Sequence, residues 1–214
     1  MKNVRVIRYP LVRHHLAVLR DRATPPELFA ATVRRLSVLL AYEATADLPL
    51  RPMRVRTPLA PARAERLAGR LGLVPIMRAG LGMVGPILDL IPQAQVWHLG
   101  FYRDETTLRP VAYYNKLPRR PPLDAALVLD PMLATGGSAV AALEAVARGR
   151  VPDVRLLAMI AAPEGLRLVA RRFPAARVFV CAIDERLNAK GYILPGLGDA
   201  GDRLFNTRPG PDAG

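Results

Sequence analysis

From residue 73 onward, short and largely apolar runs alternate with stretches that can form helices. The runs are 73–77 (LVPIM), 94–99 (AQVWHL), 125–129 (AALVL), 154–161 (VRLLAMIA) and 178–183 (VFVCAI), and 83–90, 138–149 and 163–173 lie between them. A strand that is apolar along its whole length has to be covered on both faces, which is the condition of a parallel sheet between helix layers. The pattern therefore predicts an α/β fold built on an open, mostly parallel sheet flanked by helices. Ligands of such sheets gather at the carboxyl ends of the strands, so the loops leaving these runs are where chemistry is expected.

The first third reads differently. Thr24-Pro25-Pro26-Glu27 carries the signals of a helix start, with Thr24 as cap, proline in the first turn and Glu27 completing a capping box. Phe29, Val33, Leu36 and Leu40 then share one helical face, to about Ala46. The proline-rich segment 47–60, with the alternation Met53-Arg54-Val55-Arg56, suggests an exposed strand or hairpin piece. A helix is expected at about 61–70, stopped by Gly72.

The chain has 214 residues, which one compact domain accommodates. It carries 31 Lys+Arg against 18 Asp+Glu, a net charge of +13, and residues 1–72 alone hold +9 of it. All the basic residues are arginines except Lys2, Lys116 and Lys190. Guanidinium groups grip phosphate bidentately, so the excess invites a polyanion partner. Abundant Ala and Pro point equally to nucleotide composition bias, and net charge speaks to partners and solubility rather than fold. Cys181 is the single cysteine, so no intrachain disulfide can form, and its apolar run marks it as a buried, inert thiol. His14, His15 and His98 lack metal-ligand spacing. No apolar signal region opens the chain and no stretch nears ~18 uninterrupted apolar residues, so a cytoplasmic, soluble protein is expected.

The loop after 125–129 is the most ordered in the sequence. Asp130-Pro131-Met132-Leu133-Ala134-Thr135-Gly136-Gly137-Ser138 runs from a buried strand into a helix. An acid at the strand end can accept hydrogen bonds from a ligand's hydroxyls, and Pro131 stiffens the exit. Thr135, Gly136, Gly137 and Ser138 bring backbone N–H groups and hydroxyls to a helix N-terminus, an arrangement suited to a phosphate monoester. No lysine follows the glycine pair, so this is not a Walker A loop.

This stretch resembles the phosphoribosyl-pyrophosphate (PRPP) loop of type I phosphoribosyltransferases. Most of those families carry two acids at the strand end. Pro131 stands at the second position here, as in the uracil branch, whose members read D-P-M-L-A-T-G-G-S. The segment Ile193-Leu194-Pro195-Gly196-Leu197-Gly198-Asp199-Ala200-Gly201-Asp202-Arg203 is similar to the C-terminal signature of that branch. Glycine lets main-chain groups approach a flat base closely, and they can mirror the acceptor, donor, acceptor order along uracil's edge.

Two glycine fingerprints compete with this reading. Gly80-Leu81-Gly82-Met83-Val84-Gly85 matches a dinucleotide-binding loop, with Asp104 and Glu105 about 20 residues on. Arg78 before it, Pro86 within the following helix and Pro92 at its end weaken that match. An arginine beside tight backbone suits pyrophosphate oxyanions, and the resembling family places its pyrophosphate loop here. The second match, from Gly196 to Gly201, has too little chain after it for a crossover unit.

The resemblance covers residues 5–207 and is weakest around 49–72. It implies the type I phosphoribosyltransferase fold with a small hood or β-arm, as one domain over 1–214 with hood and base-binding segment within 184–207. It implies conversion of uracil and PRPP to UMP and diphosphate, as in pyrimidine salvage, with Arg78, Arg103 and Asp130 catalytic. PRPP contacts fall to Arg78, Arg103, Asp130, Pro131, Met132, Leu133, Ala134, Thr135, Gly136, Gly137, Ser138 and Asp199. Uracil contacts fall to Ile193, Gly198, Asp199 and Ala200. Tyr102-Arg103-Asp104-Glu105-Thr106 becomes a flexible hood, and Tyr42-Glu43-Ala44-Thr45 serves packing or assembly. Mg²⁺ is implied mainly through PRPP itself, with no dedicated protein metal site. GTP as effector, a homodimer or higher homo-oligomer, no membrane and no specific nucleic acid complete the implied partners. Two alternatives stay open: an RNA-binding regulator on the same fold, motivated by the basic first third, and a phosphoribosyltransferase for another base.

Overall fold

The apolar runs pair side by side. The computed structural model describes residues 1, 3–103 and 110–207, with the side chains of residues 102, 103 and 110 outside that description. Its elements in chain order are β1 (Val4–Val6), α1 (Pro10–Arg20), α2 (Pro26–Thr45), β2 (Leu50–Arg56), β3 (Pro61–Leu67), β4 (Leu71–Met77), α3 (Leu81–Leu90), β5 (Gln95–Val96), β6 (Leu99–Arg103) and β7 (Pro110–Asn115). They continue with β8 (Ala125–Leu129), β9 (Met132–Leu133), α4 (Gly137–Arg148), β10 (Asp153–Ala161), α5 (Pro163–Arg172), β11 (Arg177–Ile183), β12 (Arg186–Leu187), β13 (Ile193–Leu194) and α6 (Ala200–Phe205). The main sheet runs β1-β11-β10-β8-β4-β6-β7. Its neighbours are parallel except for β7, which is antiparallel to β6.

Successive residues of the central strands enter opposite cores, as burial on both faces requires. Leu127, Leu129, Leu157, Met159 and Phe179 pack with Val33, Leu36 and Leu40 of α2 and Ile87 of α3. Ala126, Val128, Leu156, Ala158 and Val180 pack on the other face with Leu143 and Val146 of α4 and Leu166 of α5. Because β4, β8, β10 and β11 run the same way, the loops that leave them open on one edge of the sheet.

At the other edge a buried guanidinium ties α2 to the sheet. Arg155 is 1% exposed and donates to the Ala44 carbonyl, to Asp47 at 2.8 Å and to Asp153. Arg177 donates to Asp153 at 2.9 Å and to Asp47. Glu43, also buried, pairs with Arg5 at 2.6 Å. Glu43 and Ala44 of the segment 42–45 are thus packed into the fold, with Tyr42 exposed.

Several local expectations are corrected. Residues 61–70 are not helical: β3 pairs antiparallel with β2 from Leu50↔Leu67 to Arg56↔Pro61, and Gly72 lies inside β4. Ala, Arg, Glu and Leu are helix formers, but cross-strand pairing overrides so weak a preference. Thr57 closes that hairpin, its N–H donating to the Ala60 carbonyl at 3.0 Å. Thr24 does not cap α2; its hydroxyl donates to the Val18 carbonyl at 2.6 Å and Pro25 occupies the cap position. The run 94–99 divides between β5 and β6. Pro86 sits inside a continuous α3, so the objection it raised to a dinucleotide loop falls, while Arg78 and Pro92 still weigh against one.

Candidate active site

The loop after β8 is sewn to its neighbour before it reaches the helix. The Asp130 N–H donates to the Leu157 carbonyl, the Pro131 carbonyl accepts from Met159 and Ile160, and Ala162 donates to the Leu133 carbonyl. Pro131 and Leu133 are buried, and their carbonyls are committed to Met159, Ile160 and Ala162. Gly136 takes φ +85°, a conformation that side-chain-bearing residues rarely adopt, and a Cβ there would press within 3.0 Å of the Gly165 carbonyl. That turn delivers the chain into α4 at Gly137, with Thr135, Gly137 and Ser138 partly open at its N-terminus. Orphan N–H groups and the positive end of a twelve-residue helix thus meet on one turn, which suits an anionic group. Burial pushes the Asp130 carboxyl up to about 7, against a pull downward from the Met132 N–H at 3.3 Å.

Arg78 follows β4, and the Met77–Arg78 peptide is cis. Its guanidinium is half exposed and donates to Asp202 at 2.8 Å, with the Thr207 hydroxyl 3.4 Å away. Thr207 in turn donates to Asp202 at 2.6 Å. The Thr207 hydroxyl and Arg78 together hold the Asp202 carboxyl below its ordinary range. Asp199 caps α6, accepting the Asp202 N–H at 3.0 Å. Arg78 therefore rests beside the C-terminal segment.

An open cavity of about 240 Å³ joins the two motifs, lined by Met132 and Ala134 from the loop after β8 and by Lys190, Gly191, Tyr192, Ile193 and Asp199 from the C-terminal segment. Gly198 (φ +76°) and Ala200 flank Asp199. Sequence reading missed Lys190, Gly191 and Tyr192, which the β12–β13 hairpin carries into place.

Four more side chains were given no role by the sequence: Asp202 and Arg203, which end the C-terminal signature, and Arg20 and Asp184. Arg20 Nη1 donates to Asp184 at 2.8 Å and to the Gly196 carbonyl at 2.9 Å, while Asp184 accepts the Gly196 N–H at 2.9 Å. Arg203 donates to the carbonyls of Leu197 (2.8 Å), Leu19 and Asp21 (2.7 Å) and lies 4.2 Å over the Phe29 ring. Asp184 did leave a signal, since it ends the run 178–183 as Asp130 ends 125–129. Arg20 left none among so many arginines.

Arg103 ends β6, but its side chain lies outside the described residues, as do Asp104, Glu105 and Thr106. Cys181 is buried, which pushes its thiol up to about 12 and leaves it inert, as expected. Among the described residues no group of three or more His, Cys, Asp or Glu could hold a metal ion. None of the described helices is long and apolar enough to cross a membrane.

The family model described as uracil phosphoribosyltransferase matches residues 6–207. The uracil phosphoribosyltransferase of Roseiflexus sp. (strain RS-1) is 56% identical over 207 residues, spanning 97% of this chain and 100% of that relative. That of Symbiobacterium thermophilum is 52% identical over 209 residues, with 97% and 100% covered. Among solved structures, the AQ2163 protein from Aquifex aeolicus superposes with a TM-score of 0.89 at 39% identity, over 94% of this chain and 97% of that one. The adenine phosphoribosyl transferase of Trypanosoma brucei shares the fold alone, with a TM-score of 0.53 at 10% identity over 86% and 84% of the two chains. With its type I phosphoribosyltransferase fold and this match across nearly its whole length, the chain belongs to the uracil phosphoribosyltransferase family.

Proposed function

We infer that this chain transfers the 5-phosphoribosyl group of PRPP to N1 of uracil, giving UMP and diphosphate in pyrimidine salvage. The N1–C1 bond forms as the bond from C1 to the diphosphate oxygen breaks, and the N1 proton is released. The observation that carries the reading is the cavity shared by Met132 and Ala134 with Ile193 and Asp199, which sets a phosphate-suited turn beside a glycine-rich main chain.

In this reading Thr135, Gly136, Gly137 and Ser138 hold the 5′-phosphate at the start of α4. Asp130 accepts the ribose hydroxyls. Arg78 and Arg103 stabilise charge that builds on the departing diphosphate, a task that needs donors fixed in advance. Ile193 packs on the uracil ring, and the main chain of Gly198, Asp199 and Ala200 reads its edge. Holding both substrates in line supplies much of the remaining acceleration.

Mg²⁺ fits this site as a substrate-borne ion. It keeps waters and phosphate oxygens as ligands and asks for only a carboxylate or two, which matches scattered Asp130 and Asp199 better than a cage. Asp199 would face its water shell, and the ion would supply charge neutralisation on the diphosphate.

Incubation of the chain with PRPP, Mg²⁺ and a panel of uracil, hypoxanthine and orotate tests the reading. UMP from uracil, with little nucleotide from the other bases, is expected; preference for hypoxanthine or orotate would overturn it. Activation by GTP, homo-oligomeric assembly and a cytoplasmic location belong to the same reading, supported by family membership. GTP added to that assay, light scattering and fractionation test them in turn.

A further inference from the structure

The base-binding turn is gripped from two sides by arginines that cross in opposite directions. Arg20 reaches from the end of α1 to the Gly196 carbonyl, and Arg203 reaches back from α6 to the carbonyls of Leu19 and Asp21. Asp184 sits at the centre of the first grip. Its side chain is 3% exposed, accepts two hydrogen bonds from the Arg20 guanidinium and takes the Gly196 N–H as well. Both main-chain polar groups of Gly196 are therefore spent on one ion pair, and Arg203 occupies the Leu197 carbonyl. Gly196 has φ +67°, and a Cβ there would collide with the Ile193 carbonyl, so the turn has little freedom to rearrange.

Gly198 comes next, and its main-chain N–H and C=O have no hydrogen-bond partner among the described residues. A turn whose Gly196 groups and Leu197 carbonyl are committed, and whose next residue offers its groups unpaired, is organised to present that residue to a ligand.

We propose that the Arg20–Asp184 ion pair is a positioning device for the base: it locks Gly196 so that the main chain of Gly198 is held at the height and angle that uracil requires. The proposal rests on the reading of 193–200 as the uracil site. Neither side chain touches the substrate. Their effect falls on the uracil half of the site alone, since the loop that leads to Thr135–Ser138 is bonded at Asp130, Pro131 and Leu133 to β10 and Ala162, and Gly136 lies against Gly165 of α5.

Arg20→Lys keeps the cation but loses the two-pronged geometry, and Asp184→Asn keeps the shape but loses the charge. In steady-state assays both should raise KM for uracil about ten-fold, with KM for PRPP and kcat close to wild type. By calorimetry both should weaken UMP binding by a similar factor and leave ribose 5-phosphate binding unchanged, a split that general loosening would not produce. Equal losses for UMP and ribose 5-phosphate, or an unchanged KM for uracil in both variants, would overturn the proposal. A wild-type chain that neither turns over uracil nor binds UMP more tightly than ribose 5-phosphate would overturn the reading beneath it, and the proposal with it.

Discussion

The Arg78 guanidinium and the Asp202 carboxylate meet at 2.8 Å, joining the loop after β4 to the helix that closes the C-terminal segment. The link couples the residue expected to meet diphosphate with the segment expected to meet the base. Arg78→Ala should lower kcat/KM on the order of 100-fold, as loss of one oxyanion donor does. Asp202→Asn should keep Arg78 present but less well aimed, with a smaller loss that falls mainly on KM for PRPP. Steady-state kinetics with PRPP varied at saturating uracil checks both.

Asp130 carries the perturbed proton of the site. Burial raises its carboxyl to about 7, so below that pH the folded chain holds a proton where the proposed ribose contact needs an acceptor. PRPP binding should weaken as pH falls through about 7, and Asp130→Asn should bind PRPP weakly at every pH without that limb. The sign for stability is the reverse. Between the ordinary carboxylate range and about 7 the folded state binds more protons than the unfolded one, so this group's contribution to stability declines as pH rises across that window. Asp130→Asn should therefore raise Tm at pH 8, which calorimetric melting of the two proteins would show.

Arg155 tests the opposite edge of the sheet, away from the site. Removing a buried guanidinium strips partners from Asp153, Asp47 and the Ala44 carbonyl, and Arg155→Ala should cost about 3 kcal/mol. Activity per folded molecule should be unchanged. Chemical denaturation and an active-site titration separate the two quantities.

Acid should act through the same cluster. A hydrogen bond from Arg177 is the main force holding Asp47 below its usual range. For Asp153, burial opposes the charge but hydrogen bonds from Arg155 and Arg177 outweigh it. Groups with depressed folded values stabilise above their unfolded range and lose that contribution as pH falls through the folded values. Stability should thus drop below about pH 4, and Asp153→Asn should flatten that limb in urea melts at pH 3 and pH 6.

The apolar runs made the sheet legible because burial on both faces leaves almost no choice of strand environment, and 125–129 and 178–183 fall within a residue of β8 and β11. The loop from Asp130 to Ser138 was equally readable, since strand, acid, glycine pair and helix stand in one continuous stretch. Residues 61–70 misled because their helix preference is weak and the ladder to β2 is set by partners far from any local signal. Arg20 and Asp184 escaped for a related reason. They are 164 residues apart, and nothing in either neighbourhood announces a contact that only the folded chain creates. The junction of Arg78 with Asp202 is likewise a product of topology.

The turn into α4 and the segment 193–200 are together assigned the two halves of one nucleotide. A crystal structure of the chain with UMP tests this assignment most directly. The 5′-phosphate is expected within hydrogen-bond distance of the main-chain N–H groups of Thr135–Ser138, and the uracil edge against the main chain of Gly198–Ala200. A phosphate bound instead at Gly80–Gly85, or a base lying away from Gly198, would contradict it.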